Sequence, residues 1–415
     1  MLKILVLAEH FPNRVQPWLL NWIVESIKRG NSIKIIANDI LGDSWQSDVD
    51  KYKLLDQTEY YYIASSKDFF KSLLLYFLPF SKYTVRAYKG LVKYLKYGAN
   101  KKDSLREFAR AIAMAPSLVP GDYDVIHSHT IAMSYQFLFL KRTLNIPLIT
   151  TFHGLPPAGV NMLEKEKMDK VFKEGDLFFV NTEFAKRQLI SLSCDEKKIR
   201  ILPQGINLDE YPFHNKNYPN NGKLIILTVG RFHKDKGHIY AIKAISKLIK
   251  EGYELEYRIV GVGPEKNAIL QNVADENLTQ HVHLLEALND AELKKQYSEA
   301  HIFVLPSIRD RDGVHEETQG VVIQEAQASG LLVVATKTGG IPECVVDGED
   351  AFLVDDRDFE AIYEKIKFLI QSKSNWPLWQ KNARRHVEDN FSIHVLGARL
   401  LDFYTDTIEA ASSNK

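Results

Sequence analysis

Cysteine is almost missing: Cys194 and Cys344 are the two in 415 residues. They cannot form a disulfide framework, which suits a reducing compartment. No CxxC spacing occurs, so a thiolate zinc site is not indicated. Net charge is missing too, with 53 Lys+Arg against 53 Asp+Glu. The whole chain therefore has no basic excess to offer nucleic acid. Long apolar runs are absent. The most apolar stretch, residues 73–80, is far short of the ~20 residues that span a bilayer. The N-terminal apolar run, residues 4–8, is too short for a secretory signal. These absences lead us to expect a cytoplasmic protein, with a peripheral position on the inner membrane face left open. With 22 glycines and 15 prolines, the chain is neither low-complexity nor collagenous. Its 45% hydrophobic and 26% charged residues are those of an ordinary folded chain. At about 100–200 residues per domain, two or three domains are expected.

Short apolar runs alternate with helical patterns. Residues 3–8 (KILVLA), 33–37, 124–127 (DVIH), 148–152 (LITTF) and 177–180 (LFFV) read as strands buried on both faces. Residues 18–29 carry a helical stripe that ends at Gly30. A second series starts at Lys223, with strands at 224–229, 255–260, 281–285, 302–305 and 332–335 and helices at 239–250 and 321–329. Such alternation predicts βαβ units and parallel sheets. Residues 211–222 (YPFHNKNYPNNG) have the composition of a linker. The expected division is 1–214, 215–390 and a closing helix, 391–415, whose partner is open. Two such α/β halves leave a cleft at the C-terminal ends of their strands.

Three features concentrate chemistry in the second half. The first is TVGRFHKDKG, residues 228–237, where Gly230 allows a close turn and Arg231 and Lys236 follow. A guanidinium and an ammonium are what a diphosphate needs; a solvated charged turn is the plainer alternative. The second is VGVGP, residues 260–264, where Gly261, Gly263 and Pro264 form a turn that could let backbone approach a ligand. It is not the GxGxxG fingerprint. The third is ETQGVVIQE, residues 317–325, with Glu317 in a loop and Glu325 in an apolar helix entry. The first-turn N–H groups of that helix make an anion- and hydroxyl-binding edge, and a carboxylate suits vicinal diols.

These motifs, with LPS at 305–307, ASGLLVVAT at 328–336, GGIPE at 339–343, DG at 347–348, PQGIN at 203–207, DVIHSH at 124–129 and TFHG at 151–154, resemble those of retaining glycosyltransferases of family 4, the "glycosyl transferases group 1". The resemblance spans nearly the whole chain in motif order. It implies the GT-B fold: two Rossmann-like α/β domains facing across a cleft. It implies an enzyme that moves a sugar from a UDP- or GDP-linked donor to a saccharide or lipid-linked saccharide, without cofactor or metal. Carried over residue by residue, Arg231 and Lys236, with Gly230, grip the donor diphosphate. Glu325 holds the ribose. Glu317, Thr318, Gln319, Gly320 and Val321 form the donor-sugar site. Gly261, Gly263 and Pro264 form the nucleotide loop, and His153 with Glu317 form the catalytic pair. Bare pattern gives His153 less, since a satisfied core histidine fits equally well. The loop at 8–18 lacks the paired glycines of many relatives, and Glu286 stands where glycine is common. Alternatives are a nucleotide-sugar epimerase, a soluble-acceptor enzyme of the same fold and a non-catalytic nucleotide-sugar-binding protein.

Overall neutrality hides one basic segment. Residues 67–102 hold nine cations, among them Lys89, Lys93 and Lys96, against the single acid Asp68, with aromatic residues interleaved. A helical insertion at about 67–118 of this kind can lie on an anionic membrane surface. Equally, its aromatics can be core and its lysines solvated. No nucleic-acid module accompanies it.

Overall fold

The computed structural model describes residues 1–13, 17–41, 47–60, 121–155, 160–220, 223–286, 288–309 and 316–413. Between 61 and 120 it describes Lys89, Val92, Tyr94–Gly98, Glu107, Ala111 and Met114. Most of the basic aromatic segment thus lies outside the described residues, as do residues 310–315, part of the charge-rich stretch RDRDGVHE at 309–316.

The first sheet has seven strands: β1 (Lys3–Asn13), β2 (Ser32–Leu41), β3 (Thr58–Tyr60), β4 (Val125–Ser128), β5 (Leu148–Phe152), β6 (Leu177–Val180) and β7 (Ile199–Ile201). Its order is β3-β2-β1-β4-β5-β6-β7, and the pairings are parallel. The second has six strands: β8 (Leu224–Val229), β9 (Leu255–Val260), β10 (Val282–Leu285), β11 (Ile302–Leu305), β12 (Leu332–Thr336) and β13 (Phe352–Val354). Its order, β10-β9-β8-β11-β12-β13, repeats the same parallel winding. The expected pair of Rossmann-like α/β domains is present.

The apolar runs explain the layers. In β1, Ile4, Val6 and Ala8 point into one core and Leu5 and Leu7 into the other. A strand with helices on both faces needs apolar residues at every position. The short strands β3, β7 and β13 went unread in the sequence because three residues carry no periodicity. Strands β1 and β2 also run past the apolar runs that announce them.

The closing helix, Ile393–Ser413, finds its partner across the molecule. Leu396, Leu400 and Tyr404 bury themselves in the first domain beside Leu19, Leu20 and Ile23 of the helix Pro17–Lys28. A Cβ on Gly397 would stand 2.6 Å from Glu25 Cγ. Arg29 donates to the His394 carbonyl at 2.6 Å. The chain therefore crosses between domains twice, and the crossings pair: Ile206 N–H bonds Phe391 O at 2.9 Å and Ile393 N–H bonds Ile206 O at 2.8 Å. In the insertion, Tyr94 is buried and packs edge-on to Phe139, with ring centroids 5.6 Å apart. That aromatic belongs to the core, while Leu95 and Val92 are exposed beside the exposed Lys89 and Lys96.

Leu396 is fully buried between the two helices. Leu396→Ala is expected to destabilise the first domain by about 2–5 kcal/mol, the range for a core leucine truncation. Urea unfolding followed by near-ultraviolet circular dichroism measures it, and a loss below about 0.5 kcal/mol would mean that this helix is not a structural part of that domain.

Candidate active site

The site assembles from loops at the C-terminal ends of both sheets. The second domain supplies the backbone of residues 317–319. On one side this segment is received by Gly339 and Gly340. A Cβ on Gly339 would sit 2.0 Å from Glu317 O, and one on Gly340 2.1 Å from Thr318 O, so only glycine fits. Gly340 N–H also bonds Glu317 O at 2.7 Å.

On the other side the first domain holds the same segment directly. Thr182 caps the helix Glu183–Ser191, accepting from Ala185 N–H at 3.2 Å. The same hydroxyl donates to Thr318 O at 2.9 Å. Asn181 Nδ2 reaches Thr318 Oγ1 at 3.2 Å, and Thr318 Oγ1 reaches His153 O at 3.4 Å. Gln319, only 1% exposed, accepts from Gln204 N–H at 2.7 Å and donates to Gln204 O at 3.0 Å. Gly320 caps the helix Val321–Ala328 in the left-handed region, φ 79°, and no side chain caps its first turn.

The cations stand at the end of β8. Arg231 is half exposed and loosely held by Asp235 at 3.4 Å. Lys236 Nζ is ion-paired with Glu317. The resemblance assigns these two residues separate tasks; the fold couples them.

Glu325 lies under the cleft and is 7% exposed. Tyr297 OH donates to its carboxylate at 2.7 Å, and Tyr211 adds a second side-chain hydrogen bond. Burial pushes its carboxyl up to about 7, against the pull of the two phenols. A cavity beside it is lined from both domains, by Trp18, Asn21 and Gly205 on one side and Tyr211, Lys294 and Val321 on the other.

His153 follows β5. Gln204 Nε2 donates to its Nδ1 at 3.0 Å, which leaves the proton on Nε2. That Nε2 is buried and has no partner among the described residues. Burial lowers its pKa to about 4, so the ring is neutral near pH 7. The indole of Trp18 packs on it with centroids 4.1 Å apart. Behind it, His127 bonds Tyr404 OH at 2.6 Å and Thr151 Oγ1 at 2.8 Å and stacks 4.2 Å from His129.

The predicted residues Arg231, Lys236, Glu317, Thr318, Gln319, Gly320, Val321, Glu325 and His153 therefore meet around one cleft. The loop of Gly261, Gly263 and Pro264 has a different local reason for its glycines. A Cβ on Gly261 would stand 1.9 Å from Gly230 O, and one on Gly263 2.4 Å from Phe232 O. Both glycines let the loop after β9 press on the loop after β8 and position Arg231. Gly230 itself would meet nothing nearer than Lys236 carbons at 3.7 Å. Sequence reasoning noted Gln204 within PQGIN but gave it no role, and it missed Asn181, Thr182, Trp18, Tyr211 and Tyr297 as site residues. Only Thr182 carried a local signal, as a helix cap; the others act across distances the chain order hides. Among the described residues no three His, Cys, Asp or Glu side chains are grouped to hold a metal ion. No helix among them is long and apolar enough to cross a membrane.

Two family models match the chain: Glycosyltransferase Family 4 over residues 78–210 and Glycosyl transferases group 1 over residues 210–386. The chain belongs to the group 1 glycosyltransferases. This glycosyltransferase is 26% identical to the amylovoran biosynthesis glycosyltransferase AmsK of Erwinia amylovora, covering 97% of this chain and 98% of the relative. It is 28% identical to the capsular polysaccharide biosynthesis glycosyltransferase CapM of Staphylococcus aureus, over 62% and 67%. Its fold matches a glycosyltransferase from Rickettsia africae with a TM-score of 0.70 at 20% identity, over 98% of both chains. It also matches Anabaena HepE, crystallised with UDP and glucose, with a TM-score of 0.72 at 15% identity over 98% and 100%. The two Rossmann-like domains thus form a GT-B glycosyltransferase fold.

Glu325 makes the site's pH signature. Its folded pKa, about 7, is above the ordinary 4.5, so between these values the folded state binds more protons than the unfolded. Its contribution is present below about pH 4.5 and is lost as pH rises through 7. Glu325→Gln should remove that slope, so that the variant gains on the wild type by about 3 kcal/mol from pH 4.5 to 8, at 1.36 kcal/mol per unit. Thermal unfolding across this range measures the difference, and parallel profiles would show that the carboxyl titrates normally.

Proposed function

We propose that this enzyme transfers a sugar from a UDP- or GDP-sugar to a hydroxyl of a saccharide acceptor, with retention at the anomeric carbon, in the assembly of a cell-surface polysaccharide. The observation that carries the reading is the pairing of Arg231 and the Lys236–Glu317 ion pair at the end of β8, opposite a neutral His153. A bound diphosphate competes with Glu317 for the Lys236 ammonium. The exposed Arg231 guanidinium supplies the second, forked contact. Glu317, released, faces the sugar hydroxyls. Glu325 accepts hydroxyl hydrogens from the ribose. In the reaction the bond from the anomeric carbon to the diphosphate oxygen breaks, and the acceptor oxygen bonds the same face. The acceptor's proton passes to the departing diphosphate, whose charge the two cations stabilise. The Nε2–H of His153 is the donor available to the sugar or the acceptor. The polysaccharide assignment draws support from relatives named for amylovoran and capsular polysaccharide biosynthesis.

A thermal-shift screen with UDP, GDP and ADP identifies the donor base; a ligand at 100 times its Kd stabilises by about 2.7 kcal/mol. No shift with any of the three sinks the donor assignment. Arg231→Ala is expected to cost about 2 kcal/mol, roughly thirtyfold in nucleotide Kd. Unchanged affinity would remove Arg231 from the diphosphate site. Independence of metal is part of the proposal. EDTA should leave turnover within about twofold, and a loss restored by Mg²⁺ or Mn²⁺ would assign the diphosphate to a metal instead. The anomeric proton coupling of the product, read by NMR, decides retention.

The acceptor is proposed to be carried on a lipid at an anionic membrane, on the strength of the nine cations in residues 67–102. The protein should sediment with anionic and not with neutral vesicles, and ~0.5 M salt should release it as screening shortens the reach of each lysine. Changing Lys89, Lys93 and Lys96 together to Glu should abolish binding. Equal binding to both vesicle types, or to neither, leaves a soluble acceptor.

A further inference from the structure

Gln204, within the PQGIN stretch to which the resemblance gave no role, stands at a junction of the two domains. Its backbone belongs to the first domain's crossover. Its N–H and C=O both bond the Gln319 side chain of the second domain, at 2.7 and 3.0 Å. Its own side-chain amide donates to His153 Nδ1 at 3.0 Å. Gln319 is 1% exposed and is braced in turn by Gln324 Oε1 at 3.3 Å. An amide N–H can only donate, so the imidazole nitrogen that meets it must be an acceptor. The ring's single proton is thereby fixed on Nε2, the nitrogen left without a partner. Gln319, the residue just before the helix cap Gly320 in the second domain, thus dictates, through one glutamine, which face of the first domain's histidine is the donor.

We propose that Gln204 is a positioning residue that holds His153 in its Nε2–H form, and that it does so only while Gln319 clamps its backbone from the other domain. The proposal rests on the catalytic reading of His153 given above. Its consequence is that the histidine is aligned when the two domains are together and loses its preferred tautomer when they part. The first domain cannot present a donor to the sugar until the second has brought the donor loop beside it. This gives the enzyme a physical means of linking domain closure to transfer, without any contact between Gln204 and substrate.

The test uses the full-length protein labelled with ¹⁵N-histidine. Long-range ¹H–¹⁵N NMR distinguishes the two tautomers of a neutral ring, and His153→Gln assigns the signal. Wild type should show His153 in the Nε2–H form. Gln204→Glu replaces the donor by an acceptor carboxylate, so the proton should move to Nδ1. The His153 titration midpoint should also rise by at least one unit. Gln319→Leu keeps the volume but cannot hold the Gln204 backbone, and should give a mixture of tautomers. In transfer assays Gln204→Glu should lower kcat at least tenfold with donor KM within twofold, and Gln204→Asn should lower it less. An unchanged tautomer in Gln204→Glu, or a kcat equal to wild type, overturns the proposal. Binding of UDP or GDP is measured on the same samples. If wild type binds neither, the glycosyl-transfer reading fails while the tautomer result still stands or falls alone.

Discussion

Two domains can share one reaction centre only if a segment of one is held by the other at hydrogen-bond precision. Here that segment is the backbone of residues 317–319. Gly339 and Gly340 cradle it from its own domain; from the other, Thr182 grips the Thr318 carbonyl, while Asn181 and Gln204 hold the side chains of Thr318 and Gln319. The rest of the site depends on this clamp. It carries Glu317 to Lys236, and it starts the helix whose next turn presents Glu325. Backbone carbonyls are suited to the task because they cannot rotate away as side chains do. The fit is also unforgiving, since a single methyl group on either glycine collides with them.

The site's electrostatics follow from depth. Arg231 is left half in water, where a guanidinium stays charged and available. Lys236 and Glu317 satisfy each other as an ion pair. Glu325 and His153 are taken out of water, and both shift toward their neutral forms. For Glu325 the two phenols limit the shift; for His153 no opposing charge does. A neutral imidazole can donate a hydrogen bond from Nε2 without adding a cation to those of Arg231 and Lys236.

The crossovers explain why the terminal helix matters to a site it does not touch. Residues 391–393 pair with Ile206, two residues beyond Gln204. The helix then fixes itself on the first domain, where Tyr404 bonds His127 behind the histidine pair. The two crossings between the domains are thus tied to each other by backbone hydrogen bonds close to the clamp.

The sequence alone determined the layers. Runs such as residues 177–180 and 302–305 are apolar at every position, and a parallel sheet covered on both faces satisfies them. The family resemblance in motif order pointed to Arg231, Lys236, Glu317, Glu325 and His153, while local pattern by itself read His153 equally well as a core histidine. What only the tertiary structure decided is which of these touch. Lys236 and Glu317 are 81 residues apart, Gln204 and Gln319 are 115, and Tyr404 and His127 are 277. Local periodicity reads a few residues at a time, so it cannot register such pairs. Nor could it tell that Gly261 serves backbone packing, since a glycine in a turn looks the same whether a ligand or a carbonyl occupies the space beside it. The partner of the closing helix was hidden for the same reason: an apolar stripe says that a face will be buried, and only the folded chain supplies the surface that buries it.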